Sequence, residues 1–259
     1  MKVIYDSRKD IRLIATGSAS PVLEKGSADS GTGRWSVLKI PTMSFYEYCR
    51  LLELDLPILP NDLRLSKLKG FSLAQFGDLM DKFTPLQNHF NRYLTIGGFP
   101  ELVLSDDDTY AQRMLREDVV DKVIKRDVLS DERELGAMVE TTVYKHMVSF
   151  YHDSPAQLGY FRKAKNNQKE VDVVVELPRQ KTLCEVKYRN NSHIAATDAI
   201  VELCQDEKAK VTNAFLITKR LDDFGIARHE TRIPILRIPA IAFLYMLGKA
   251  EAEGQNGKL

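Results

Sequence analysis

Two short apolar stretches joined by a polar segment, near the middle of the chain, constrain the fold most strongly. Residues 170–177 and 182–188 are rich in valine, leucine, cysteine and tyrosine. Each is short, which favours strand over helix. Residues 178–181, between them, are polar and begin with proline, which favours a turn. The pattern therefore predicts an antiparallel β-hairpin with a four-residue turn.

Such a hairpin brings three charged side chains together. If its turn is symmetric, Asp172 lies opposite Lys187 and diagonal to Glu185 on the same face, because side chains alternate along a strand. Two carboxylates offer hard oxygen ligands to Mg²⁺ or Mn²⁺, and a lysine beside them can orient a water molecule or stabilise charge on a phosphate. A register slip of one residue would move Asp172 to the other face. The alternative is an ordinary cross-strand charge cluster.

The spacing Asp172-x12-Glu185-x-Lys187 resembles the core of the PD-(D/E)XK restriction-endonuclease-like fold. The resemblance implies a metal-dependent phosphodiesterase in which a glutamate on the preceding helix completes the site. Glu140 matches that glutamate, at the edge of an apolar stripe of helical spacing within residues 135–150. All four residues are then implied to be catalytic, with the three carboxylates as metal ligands. The proline that gives the fold its name is absent before Asp172.

Basic and aromatic residues precede the Asp172 strand. Tyr160 and Phe161 are followed by a cluster of cations, Arg162, Lys163, Lys165 and Lys169. A cluster of this kind can contact the phosphates of a nucleic acid, so DNA is the expected partner. The alternative is a solvated basic loop. The net charge of the whole chain is +1, so attraction to nucleic acid must come from a local patch.

Further segments resemble a second family. They begin at Thr16-Gly17-Ser18, Gly33-Arg34-Trp35, Met43-Ser44-Phe45, Gly97-Gly98-Phe99 and Arg116-Glu117-Asp118. In this order they resemble the second half of a prokaryotic AAA-type P-loop ATPase, a family in which an ATPase module precedes a restriction-endonuclease-like domain of unknown function. The resemblance implies that Thr16 and Ser18 correspond to polar residues that sense the γ-phosphate. It also implies that Arg34 or Arg126 corresponds to an arginine finger.

Three parts of that family pattern are missing from the sequence. There is no Gly-x-x-x-x-Gly-Lys-Ser/Thr phosphate loop, no acidic pair ending a Mg²⁺-holding strand, and no winged-helix segment between Leu129 and Leu135. The chain thus looks like a family member truncated at its N-terminus. Because the phosphate loop supplies most of the charge stabilisation for ATP, we expect that the chain does not bind or hydrolyse ATP alone. The nucleotide-site residues are then vestigial, in a strand-end turn, a loop and a solvated helix.

The sequence therefore predicts an α/β protein: a remnant of a P-loop ATPase sheet plus a helical lid, followed by a small restriction-endonuclease-like α/β domain. The expected boundaries are 1–45 for the ATPase remnant, 46–130 for the lid-like helices, 131–248 for the nuclease-like domain and 249–259 for a disordered tail. The missing strands would leave an apolar sheet edge open, through which we expect self-association. The nuclease-like domain is expected to fold independently.

Cysteine usage and hydropathy bound the remaining possibilities. Cys49, Cys184 and Cys204 are far apart and form no Cys-x-x-Cys motif, which argues against a zinc site and favours the reduced cytoplasm. The longest apolar run, residues 238–248, is too short to span a bilayer, so no membrane partner is expected. Two functions stay open: a metal-dependent DNA phosphodiesterase, and a non-catalytic DNA- or protein-interaction module with a degenerate nuclease-like site.

Overall fold

The computed structural model describes residues 14, 40–115, 132–163, 169–255, 257 and 259, and of residues 132–134 it describes the backbone alone. The chain divides into two compact units, Met1–Pro41 and Thr42–Leu259. Almost all of the first unit lies outside the described residues, and so do the predicted open sheet edge and the residues Thr16, Ser18 and Arg34. Arg126 and Lys165, in the second unit, lie outside them as well.

A mixed six-stranded sheet forms the centre of the second unit. Its strands are β1 (Gln157–Arg162), β2 (Glu170–Leu177), β3 (Gln180–Lys187), β4 (Val211–Thr218), β5 (Gly225–Ile226) and β6 (Ile235–Pro239). In the order β1-β2-β3-β4-β6-β5, the first three are antiparallel neighbours, β3, β4 and β6 are parallel, and β5 runs antiparallel to β6. The predicted hairpin is β2 and β3, whereas β1 is a strand that the sequence pattern does not predict.

Eight α-helices accompany the sheet in the described part of the chain. They are α1 (Phe45–Leu51), α2 (Leu73–Phe83), α3 (Gln87–Ile96), α4 (Pro100–Val103), α5 (Asp108–Leu115), α6 (Glu132–Phe150), α7 (Ala199–Gln205) and α8 (Ala240–Ala252). Together with the sheet they confirm the predicted α/β class. A capping box begins α1: the Ser44 side chain accepts from the backbone N–H of Glu47, and the Glu47 carboxylate accepts from that of Ser44.

Helices cover both faces of the sheet. One face packs against α1, α3, α6 and α8 through Val173, Val175, Cys184, Val186, Phe215 and Ile217. The opposite face packs against α7 through Val174, Leu183, Ala214 and Leu216. Because side chains alternate along each strand, strands buried on both faces read as nearly continuous apolar runs. The result is a three-layer core in which β3 and β4 are central.

Helix α8 is the longest apolar run of the sequence. Every residue from Ala240 to Gly248 is buried, as expected for a helix that is apolar around its whole circumference. A Cβ atom added to Gly248 would lie 2.6 Å from Ser44 Oγ, so this glycine lets the start of α1 approach α8 closely. Among the described residues, no helix has the length and apolarity needed to cross a membrane.

The predicted boundary at residue 131 falls inside one compact unit. Phe45 of α1 and Phe90 of α3 belong to the same apolar core as Val173 and Phe215 of the sheet. The helices before residue 131 therefore cover a sheet face of the segment that follows it. The predicted domain from 131 to 248 does not carry all of its own core.

The predicted disordered tail is corrected by the structure. Helix α8 continues to Ala252. The backbone N–H of Gly257 donates to the carbonyl oxygen of Phe150 at 3.2 Å, and the Ser66 hydroxyl donates to the carbonyl oxygen of Leu259. Leu259 also packs against the larger core. The described tail residues are held by backbone hydrogen bonds and apolar packing, which composition alone does not reveal.

Candidate functional site

The candidate site lies where the β2–β3 pairing ends. The turn between these strands has two residues rather than the predicted four, so that Val173 pairs with Cys184. Extending this ladder by one pair places Asp172 opposite Glu185, not opposite Lys187 as predicted. The correction amounts to two residues, an even number, so the change of register by itself does not move Asp172 to the other face of the sheet.

The end of the β2–β3 pairing, where the two strands part beyond Val173 and Cys184, is called the fork below. A β-bulge in β2 lies at this fork. The β1–β2 register shifts between Gly159 and Phe161, so Tyr160 alone faces both Asp172 and Val173. Bulges bend a strand and re-aim its side chains, and they are frequent beside active sites. The bulge thus sets the direction of the Asp172 side chain.

The Asp172 carboxylate is held by the backbone of the neighbouring strand. Its Oδ2 accepts a hydrogen bond from the N–H of Val186 at 2.7 Å. Burial raises the pKa of Asp172, and the Val186 N–H and the Lys187 ammonium oppose that shift. The side chain therefore provides the hydrogen-bond acceptor for a β3 amide beyond the last β2–β3 pair.

Glu185 and Lys187 form an ion pair on β3. The Lys187 ammonium donates to Glu185 Oε1. Glu185 is 4% exposed, and its second oxygen, Oε2, is buried without a hydrogen-bond partner among the described residues. Burial, together with the Asp172 charge, raises the pKa of Glu185 to about 7 although Lys187 acts to lower it. Burial acts to lower the pKa of Lys187, but the Glu185 and Asp172 carboxylates together outweigh it and the net shift is upward.

Glu140 approaches this cluster from α6. The residue lies on the exposed side of the helix, yet its carboxyl group is partly desolvated. Burial, followed by the negative charge of Asp172, raises the pKa of Glu140 to about 7, and Lys187 acts in the opposite direction. Within the described ranges, however, no three His, Cys, Asp or Glu side chains are placed to hold a metal ion together. A metal site with all three carboxylates as ligands is therefore not formed in this arrangement.

The predicted cation cluster is paired with acids where it is described. Arg162, on β1 rather than in a loop, donates to Glu170 at 2.8 Å. Lys163 and Lys169 both contact Glu202 of α7, Lys163 at 3.3 Å. These pairs lie at the surface, with Lys169 partly buried, and ion pairs between exposed side chains contribute little to stability. The cations lie close to the candidate site in sequence and structure, because β1 and β2 are neighbours.

Two polar features near the site escape the sequence analysis. Thr218, at the end of β4, is fully buried. Buried Asp223 accepts a hydrogen bond from Ser192 Oγ at 2.9 Å and pairs with Arg237 of β6. Through Asp223, the segment after β3 that contains Ser192 is connected to β6. Both features depend on contacts between residues that are distant in sequence, so no local sequence motif predicts them.

Comparison with known proteins gives two family matches. A family described as "Domain of unknown function (DUF4143)" matches residues 135–238, and a family described as "AAA domain" matches residues 1–49. The first match contains Glu140, Asp172, Glu185 and Lys187. Each match covers less than half of the chain: the first 49 residues are similar to an AAA domain, and the segment that contains the candidate site is similar to the domain of unknown function.

One curated relative has no described activity. It is an uncharacterized protein of Methanocaldococcus jannaschii, 28% identical over 117 residues. The matched region is 45% of this chain and 22% of that protein, so the chain spans about a fifth of the length of this relative.

Proposed function

We propose that this chain is a metal-dependent phosphodiesterase acting on DNA, with its site at the fork of β2 and β3. The observation that carries the proposal is Glu185 Oε2, a buried carboxylate oxygen without a partner in the described residues, next to Asp172. Buried polar atoms are normally hydrogen-bonded, and an exception calls for an explanation such as an ion. A cation ligand is the explanation that fits a carboxylate oxygen.

The charge of the cluster supports a divalent ion. Asp172, Glu185 and Glu140 face one ammonium, that of Lys187. When all are ionised, two negative charges in a partly desolvated place are left uncompensated, which is unfavourable. Mg²⁺ or Mn²⁺ would offset both charges and prefers carboxylate oxygens. Asp172 and Glu185 would hold the ion directly, and Glu140 on α6 lies close enough for its charge to interact with Asp172.

The side chains have distinct tasks in this proposal. The metal, when bound, supplies Lewis-acid activation of the phosphodiester and of a water molecule. Glu140, with a pKa of about 7, suits the acceptance of a proton from the attacking water near neutral pH. The Lys187 ammonium, held in place by Glu185, provides positive charge for a phosphate oxygen. The Val186 N–H keeps the Asp172 carboxylate oriented.

DNA as the substrate is supported by the cations of the β1–β2 connection. Arg162, Lys163 and Lys169 are paired with exposed or half-exposed carboxylates. Because such pairs are weak, DNA phosphates can replace the carboxylates at small cost. ATP hydrolysis by this chain alone is not part of the proposal, since the sequence contains no phosphate loop.

The direct test is cleavage of labelled DNA by the full chain with Mn²⁺ or Mg²⁺. Glu185→Gln and Lys187→Met should lower the rate by about 10²-fold or more, as removal of one stabilising group in an active site does. Glu176→Gln is the matched control, because Glu176 pairs with Lys181 across the same hairpin but at its other end. Cleavage that is independent of the metal or equal in all variants would contradict the proposal.

A second function, a non-catalytic DNA- or protein-interaction module, has its own support. Arg162, Lys163 and Lys169 are paired with acids, and the Lys187 ammonium is paired with Glu185. In that case the cluster serves packing alone. DNA binding without cleavage, unchanged in Glu185→Gln, would favour this function over the enzyme.

A further inference from the structure

Thr218 lies beside the proposed catalytic pair on the neighbouring strand. In the parallel β3–β4 ladder, Glu185 pairs with Leu216 and Lys187 with Thr218. Leu216 and Leu183 both belong to the core that faces α7. Because side chains alternate, Glu185 and Lys187 project on the same side as Leu183, and Thr218 on the same side as Leu216. Thr218 is thus adjacent to Lys187 and diagonal to Glu185 on one sheet face.

Two polar atoms on this face lack partners. Glu185 is 4% exposed and Thr218 is 0% exposed. Glu185 Oε2 and Thr218 Oγ1 are each buried without a hydrogen-bond partner in the described part of the chain. Single unpaired buried atoms are unfavourable and rare. Two of them in diagonal positions, one a carboxyl oxygen and the other a hydroxyl, point to a shared ligand.

We propose that a water molecule binds between Glu185 Oε2 and Thr218 Oγ1, and that Thr218 is through it a positioning residue of the site. The water donates one hydrogen bond to Glu185 Oε2 and accepts another from the Thr218 hydroxyl. Buried waters commonly satisfy such groups, with two to four polar partners each. Lys187 Nζ, on the same face, is a further donor beside Thr218. The carboxylate of Glu185 is then oriented by the ammonium at Oε1 and by the water at one lone pair of Oε2, and the second lone pair of Oε2 remains for the metal ion of the proposed function.

Orientation of a metal ligand by a neighbouring hydrogen bond usually matters for metal affinity. Loss of such a contact typically lowers the affinity by about 10–100-fold. The inference rests on the proposed function in one respect, namely that Glu185 binds the metal. The water bridge itself does not depend on it, so the two ideas are separable by experiment.

Three variants of the full chain isolate the hydroxyl. Thr218→Val removes it with little change of shape, and Thr218→Ser keeps it. Thr182→Val is the matched control. Thr182, on β3, is buried like Thr218, but it lies on the opposite sheet face because its neighbour Leu183 is on the face of Thr218. Mn²⁺ affinity is measured by titration calorimetry, and the melting temperature is measured without metal.

The expected result is Mn²⁺ binding about 10-fold weaker in Thr218→Val, and unchanged in Thr218→Ser and Thr182→Val. If the wild type binds Mn²⁺ and Thr218→Val binds it with the same affinity, Thr218 is not a positioning residue. The proposed function is not contradicted by that result. If the wild type binds no Mn²⁺, the proposed function fails, and the metal-free melting temperature decides the bridge. A Thr218→Val melting temperature lowered by about 2–4 °C supports the bridge. A raised one overturns it, because removal of a dry, unpaired hydroxyl stabilises a core.

Discussion

Glu185 is a single side chain in which burial and charge oppose each other. Burial raises its pKa to about 7 in spite of the Lys187 ammonium. An acid whose pKa is higher in the folded than in the unfolded state binds additional protons on folding. Its contribution to stability is therefore complete below the unfolded value, near 4.5, and is lost as the pH rises through about 7.

This linkage predicts a pH-dependent difference between two metal-free proteins. The wild type should gain stability relative to Glu185→Gln as the pH falls from 8 to 5, because only the wild type takes up the proton at this position. The measurement is the melting temperature of both proteins across that range. Glu176→Gln, an exposed glutamate variant on the same hairpin, should follow the wild type. A wild-type-to-Glu185→Gln difference that is constant with pH would rule out the raised pKa.

The site residues show which parts of the candidate site can be predicted from the spacing of residues in the sequence. Asp172, Glu185 and Lys187 were predictable, because a hairpin brings residues a dozen positions apart onto one face. The turn length was not, since Gln180 and Lys181 are polar residues that nevertheless extend β3. Thr218 was not predictable either, because its place depends on the register of a parallel pair across a long connection.

At the scale of elements, β1 illustrates why an edge strand escapes detection. It contains Gly159 and ends in Arg162, and its residues are exposed or half-buried rather than alternating strictly. An edge strand pairs with a neighbour on one side alone, and such strands often carry charged residues and bulges. The interior strands β3 and β4, buried on both sides, carry the stronger apolar signal and were recognised.

The junction between α3 and α4 yields a prediction about a close backbone contact. Met43 donates its N–H to the carbonyl oxygen of Gly98 at 2.8 Å, just before α1 begins. A Cβ atom on Gly98 would overlap the Met43 carbonyl oxygen, so Gly98→Ala should lower the free energy of unfolding by about 1–3 kcal/mol. Gly77→Ala is the control: a Cβ there meets nothing within 4 Å, inside α2, and should raise stability by about 0.5–1 kcal/mol.

Urea denaturation of both glycine variants measures these changes. Gly77→Ala reports the change in stability from replacing a glycine inside a helix. Gly98→Ala reports the change from a side chain that blocks the close contact with Met43. A Gly98→Ala protein as stable as Gly77→Ala would show that the segment before α1 can move away from the turn without loss.

For the whole molecule, the shared core replaces the predicted division at residue 131. Phe45, Tyr48 and Phe90 bury their rings in the cluster that also contains Phe215 and Phe243. His146 of α6 strengthens the same connection, since its Nε2 accepts a hydrogen bond from the backbone N–H of Phe45 at 3.2 Å. Composition and motif order predict two domains after residue 45, whereas in the structure these residues share one apolar core within one compact unit.

This unity predicts the behaviour of two fragments. Residues 42–259 should fold with a single cooperative thermal transition, because they retain every described partner of that core. Residues 131–259 should instead expose the sheet face that α1 and α3 cover, bind a hydrophobic dye such as ANS, and lose cooperative melting. The two fragments are compared by circular dichroism and dye fluorescence at equal concentration. If fragment 131–259 melts cooperatively and binds no dye, residues 131–259 fold independently, as the sequence predicts. The helices from 45 to 103 are then not needed for the stability of the sheet.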